Sequence, residues 1–111
     1  MTHKSLSYQN YLIESLKNPE EAAGYLNAAL KGGNIKVFLV ALRNVIKAQG
    51  GMAKIAAKAH KGRTSLYKSL LETGNPHLKN TNEILTAMGL HLAVVANHRK
   101  KQISNKQKRV I

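Results

Sequence analysis

The side chains in this chain that could do chemistry are hydrogen-bond donors and cations rather than acids and nucleophiles. Arg63, Thr64, Tyr67 and Lys68, with Ser65 among them, lie around two leucines, Leu66 and Leu70, spaced four apart. Read as a short helix, the leucines turn inward and the polar residues outward. Such an outer face suits a base edge: arginine can bind guanine through two parallel N–H groups, and threonine can donate, accept or touch a thymine methyl. Tyrosine and lysine more often reach phosphates. Lys54, Lys58, Lys61, Asn75 and Lys79 lie close by and complete the candidate contact set. Taken singly, each of these cations reads as an ordinary solvated residue, and Tyr67 fits a half-buried core position equally well.

Other chemistries are poorly supplied. The chain has no Asp and no Cys, its five Glu are scattered, and its five His (His3, His60, His77, His91, His98) have no ligand-like spacing. General acid–base pairs, thiol nucleophiles, disulfides and thiolate metal sites are therefore not expected. The glycine pairs Gly32-Gly33 and Gly50-Gly51 lack the context of a phosphate-binding loop. Neither an enzyme nor a cofactor nor a metal is indicated.

The elements that must carry the polar face follow from the apolar pattern. Met52, Ile55, Ala56 and Ala59 mark a short helix before His60-Lys61-Gly62-Arg63, and Leu66 and Leu70 mark a second one after it. This is the size and pattern of a helix-turn-helix, which puts its second helix into the major groove of DNA while the first crosses the backbone. The small residues Ala53, Ala56, Ala57 and Ala59 allow the two helices to approach closely, with Ala56 at the contact. Upstream, Asn34 can cap a helix in which Ile35, Phe38, Leu39, Leu42, Val45 and Ile46 form the widest apolar face, closed by Gly50-Gly51. Its other side, with Lys36, Arg43 and Lys47, reads as a solvated face or a DNA contact. Downstream, Glu72 to Pro76 is a turn, and Leu78, Thr81, Ile84, Leu85 and Met88 give one more helix, stopped at Gly89.

Residues 1–7 read as a disordered N-terminus. Residues 8–33 read as N-terminal helices: Tyr8, Tyr11, Leu12 and Leu16 recur at helical spacing, and Asn18-Pro19-Glu20-Glu21 starts the next segment with a capping side chain, a proline at the first helical position and acids at the positive end of the dipole. These helices are not needed for DNA contact and read as packing or partner-binding elements. Residues 34–96 form the helix-turn-helix domain, and residues 97–111 a basic flexible tail, either inert or an extra nonspecific DNA arm. The expected architecture is an all-α, compact five-helix bundle. Leu90 to Val95 alternates and is rich in β-branched residues, which predicts one short strand. Leu90, Leu92 and Val94 would pair antiparallel with the same strand of a second subunit about a two-fold axis; the other reading is an apolar extension packed on its own domain.

Charge points to the same class of partner. Of 111 residues, 18 are Lys or Arg and 5 are acidic, for a net charge of +13. Residues 22–71 hold nine basic residues and no acid, and residues 97–111 hold six and no acid, whereas the remaining stretches are close to neutral. Charges used only for solubility would be interspersed by sign, so this segregation indicates a polyanion, with an anionic membrane the weaker rival because the basic segments lack large apolar faces. The helix-turn-helix pattern selects double-stranded DNA, and two-fold strand pairing would make its operator palindromic. No apolar run is long enough to span a membrane or form a signal peptide, which makes a cytoplasmic protein the simplest expectation.

With these residues in view, the chain resembles the antidote family of bacterial addiction modules, the HigA-like antitoxins with a phage-repressor (Xre-type) helix-turn-helix. The likeness runs from about Tyr11 to Val95. It includes Tyr25-Leu26-Asn27 with Ala29-Leu30, Ala41-Leu42, Gln49-Gly50-Gly51-Met52 and Ile55-Ala56. It continues through Arg63 with Ser65-Leu66-Tyr67-Lys68, Gly74-Asn75-Pro76 and Met88-Gly89-Leu90. The resemblance implies an antitoxin that binds a RelE-like ribonuclease toxin encoded beside it and, as a dimer, represses the shared operon. A stand-alone repressor of phage or mobile-element type is the rival reading, and an RNA-binding protein using charge alone is a third. The chain departs from the family at the turn. His60, Lys61 and Gly62 stand where a glycine, an apolar residue and a Ser or Asn cap are usual, so Lys61 must snorkel outward and would add a phosphate contact. Thr64, at a position often acidic in the family, leaves the second helix more positive.

Overall fold

The structure is a computed structural model that describes residues 2–71 and 76–97. Among these residues it is all-helical, with six helices: α1 Thr2–Ser15, α2 Pro19–Lys31, α3 Ile35–Ala48, α4 Met52–Lys58, α5 Arg63–Leu71 and α6 Leu78–Ala87. That is one helix more than the expected five-helix bundle. The N-terminal stretch divides at Asn18-Pro19, where the ring of Pro19 cannot continue the preceding hydrogen-bond ladder. There the Lys17 and Asn18 amides bond the carbonyls three residues back, Glu14 and Ser15, at 3.3 and 3.2 Å, in place of the helical four. α1 also begins at Thr2, so residues 2–7 are helical where disorder was expected.

Two asparagines start helices as their positions predict. Asn18 Oδ1 accepts from the amides of Glu20 and Glu21 at 2.8 and 3.3 Å, and Asn34 Oδ1 accepts from those of Lys36 and Val37 at 2.9 and 3.4 Å. Each side chain satisfies amides that the first helical turn leaves without an intrahelical partner.

α3 is the axis of the bundle. Phe38, Leu39, Ala41, Leu42, Val45 and Ile46 are buried, and α1, α2, α4 and α5 all pack on this helix. Leu16, Ala22 and Leu26 reach the core from the N-terminal helices, Ile55 and Ala56 from α4, Leu66 and Leu70 from α5, and Ile84 and Leu85 from α6. Polar links fasten α3 to the N-terminal pair: Gln49 Nε2 donates to the Leu16 carbonyl at 3.0 Å, closing the end of α1, and Asn44 Nδ2 donates to the Tyr25 hydroxyl at 2.9 Å.

α3 stops at Gly50, whose φ of 119° lets the Gly51 amide fold back onto the Ile46 carbonyl at 2.9 Å. A side chain would strain that backbone. α6 ends the same way at Gly89, and the chain then runs on to Asn97 without regular secondary structure. The strand expected over Leu90 to Val95 is therefore not formed in the single chain, since an extended segment needs a neighbour for its backbone groups and none is at hand. The segment behaves in two ways. Leu90 and Leu92 pack against the core, and the Leu92 amide donates to Asn82 Oδ1 at 3.0 Å. Val94 and Val95 stand fully out, at 101% and 80% exposure. Among the described residues no helix is long and apolar enough to cross a membrane.

Candidate nucleic-acid interface

The polar face proposed from the sequence lies on α5, and three features hold that helix. The first is apolar: Leu66 and Leu70 are 0% and 1% exposed and seat α5 on α3 and α4. Their burial turns Arg63, Thr64, Ser65, Tyr67 and Lys68 outward, and all five are exposed. Tyr67, which fitted core or surface equally by pattern, is 52% exposed and belongs to the surface. The helix carries no acid in its first turn and begins with Arg63, a cation at the positive end of its dipole. That placement slightly disfavours the isolated helix, so stability alone does not account for Arg63.

The second feature is the turn. After α4, the His60 amide bonds the Ala57 carbonyl at 3.2 Å and the Lys61 amide reaches back to the Ala56 carbonyl at 2.9 Å. This double closure needs one left-handed residue, and that residue is His60, at φ 57°. His60 occupies the place where the resembling family uses glycine. Lys61 then runs inward rather than outward. Its Nζ pairs with Glu83 Oε1 on α6 at 2.6 Å and donates to Asn80 Oδ1 at 3.1 Å, leaving the side chain 20% exposed. The phosphate contact expected of Lys61 would require this pair to open.

The third feature closes the other end of α5. Arg43 of α3, read from the sequence as part of a solvated or DNA-facing side, donates from Nη1 to the Leu70 carbonyl at 3.0 Å. A guanidinium there answers carbonyls left unpaired at a helix end and the negative end of the dipole.

The remaining candidates surround this unit. Lys54 and Lys58 are exposed on α4, and Lys79 is exposed on α6 with its Nζ 3.6 Å from Glu83 Oε2. Asn75 lies outside the described residues, as does the tail beyond Asn97. Leu90 and Leu92 are half-buried and Val94 is exposed, away from α5 in the chain. Lys61, by hydrogen bond and by charge, holds the Glu83 carboxyl below the usual glutamate range; partial burial opposes this, and Lys79 assists. Among the described residues there is no group of three or more His, Asp or Glu able to hold a metal.

Sequence reasoning brought together the α5 face but missed the ties of Lys61 and Arg43. One signal for the first was available: within residues 76–97 the single acid is Glu83, and a lone acid in a basic chain is where a turn lysine will find a partner.

Comparison with known proteins places the chain. Residues 7–96 match the family model described as "Probable addiction module antidote protein". A protein of Haemophilus influenzae (strain ATCC 51907 / DSM 11121 / KW20 / Rd), described as "Uncharacterized protein", is 37% identical over 83 residues, which covers 75% of this chain and 84% of that one. No solved structure matches significantly. The family match takes in α2 to α6 whole, the exposed face of α5 and the segment after Gly89, and the chain belongs to the family of probable addiction module antidote proteins.

Proposed function

We propose that this protein is the antitoxin of a two-component module: it binds and neutralises a cognate toxin of RelE-like type and represses the operon that encodes both. In this reading α4 and α5 are a helix-turn-helix of the phage-repressor (Xre) kind in a HigA-like antitoxin, and the protein acts by binding, without catalysis. α5 enters the major groove, Arg63 and Thr64 read bases, Tyr67 and Lys68 contact phosphates, and Lys54, Lys58 and Lys79 add nonspecific attraction. The observation that carries the DNA part is a helix buried on Leu66 and Leu70 that presents five donors outward. The toxin part rests on the family. Two copies pair through Leu90, Leu92 and Val94, which would align two α5 helices on a palindromic operator; the full exposure of Val94 and Val95 supports this.

The test is a titration against the duplex immediately upstream of the gene, with scrambled duplex and structured RNA as controls. Specific binding should survive competitor DNA and fall with salt by about 0.9 log units per log salt for each phosphate contact. Arg63→Ala should cost about 1–3 kcal/mol and relax preference at one operator position. Equal binding to all duplexes, or preference for RNA, overturns the operator reading.

A further inference from the structure

We propose that Lys61 and Arg43 are positioning residues that fix α5 at its two ends, and that Glu83 and Asn80 set the angle of the reading face without touching DNA. The proposal rests on the DNA-binding reading for its consequence, but its structural half stands on contacts within the chain. At the N-terminal end of α5, Lys61 lies two residues before Arg63 and is tied to Glu83 at 2.6 Å and Asn80 at 3.1 Å, so the turn is pinned to α6. At the C-terminal end, Arg43 Nη1 takes the Leu70 carbonyl at 3.0 Å, so the last turn is pinned to α3. Between them, among the described side chains, Leu66 and Leu70 decide which face of α5 turns inward, while the finer tilt and rotation of that face need more specification than two apolar contacts give. Directional bonds at both ends supply that specification. A groove-reading helix needs it, because a small rotation moves Arg63 and Thr64 off the base edges together.

The ion pair also offsets a local cost. His60 holds a left-handed backbone at φ 57° with a side chain attached, and a turn strained in this way persists when its surroundings over-determine it. The Lys61 bridge, one residue on, provides that constraint.

Charge and positioning predict opposite effects, which makes the test sharp. Glu83→Gln removes a negative charge and leaves Lys61 with neutral partners alone, Asn80 Oδ1 and the new amide oxygen, in place of the ion pair. If Lys61 and Glu83 matter only through charge, the variant binds every duplex more tightly, and Lys61→Met weakens every duplex and lowers the salt slope by about 0.9. Positioning predicts that Glu83→Gln, Lys61→Met and Arg43→Met each lose affinity for the upstream duplex by roughly 5- to 30-fold. Binding to scrambled duplex would then change little, and the salt slope of Lys61→Met would stay at the wild-type value. Lys61→Arg, which can still reach Glu83, should restore most of the specific affinity.

Amide hydrogen exchange on the free proteins gives a readout independent of DNA. Protection of the amides bonded within α5, from Leu66 onward, should fall in Glu83→Gln and Lys61→Met while that of α3 is retained. If exchange is unchanged, the inference is overturned whatever the protein binds. If exchange changes but wild type shows no preference for the upstream duplex, the two ties stand and the operator reading fails.

Discussion

At the residue scale the turn between α4 and α5 concentrates what is particular to this chain. His60 adopts φ 57° where glycine would be unstrained. His60→Gly should therefore stabilise the protein by about 0.5–1 kcal/mol, net of the greater freedom glycine has when unfolded, as measured by urea denaturation. A loss of stability would mean that the histidine side chain contributes contacts worth more than the strain. Glu83 makes a second, independent prediction. Lys61 holds its carboxyl below the usual glutamate range, so the folded state binds that proton less readily than the unfolded chain. The pair's contribution is complete above the unfolded pKa, near 4.3, and is lost as pH falls through the depressed folded value. An NMR titration of the Glu83 carboxyl should show a midpoint below that of free glutamate, moving up in Lys61→Met.

At the scale of elements, helix starts and the α3 core were legible because their signals are local. Asn18 and Asn34 cap as their neighbours Pro19 and Gly33 suggest, and the apolar period of α3 marks the buried side of the helix. Asn34→Ala should cost about 1 kcal/mol through the loss of two amide partners, whereas Leu42→Ala, at 0% exposure in the centre of the bundle, should cost about 2–5 kcal/mol. Thermal or urea unfolding distinguishes the two, and an equal loss would contradict the placement of α3 as the axis. The α5 face was legible for the same reason, since Leu66 and Leu70 alone decide which residues turn outward. What was not legible depends on distance in the chain: Arg43 meets Leu70, Lys61 meets Glu83, and Gln49 meets Leu16, none of which any periodicity links. The strand expected over Leu90 to Val95 is absent from the single chain for a related reason. Its β-branched pattern records a preference, but pairing needs a neighbour that the single chain does not provide.

At the scale of the whole molecule, the exposed cations and donors proposed for DNA, Lys54, Lys58, Arg63, Thr64, Tyr67, Lys68 and Lys79, lie on α4, α5 and α6. Three of the four described acids, Glu14, Glu20 and Glu21, sit at the junction of α1 and α2, beside the exposed Tyr8 and Tyr11. Val94 and Val95 lie apart from both in the chain, at its described end. If Val94 belongs to a subunit contact, Val94→Pro should weaken self-association and specific DNA binding together, as followed by sedimentation and titration, because the proposed palindromic operator would be read by two α5 helices. A wild-type protein that remains monomeric at micromolar concentration contradicts that pairing. Co-expression with the neighbouring reading frame, followed by affinity capture of this chain, tests the proposed antitoxin function most directly. The neighbour should arrest growth when expressed alone, be tolerated with this protein present, and be captured with it as a stable complex. A neighbour that is harmless alone, or toxic and never captured, would contradict the assignment as an antitoxin.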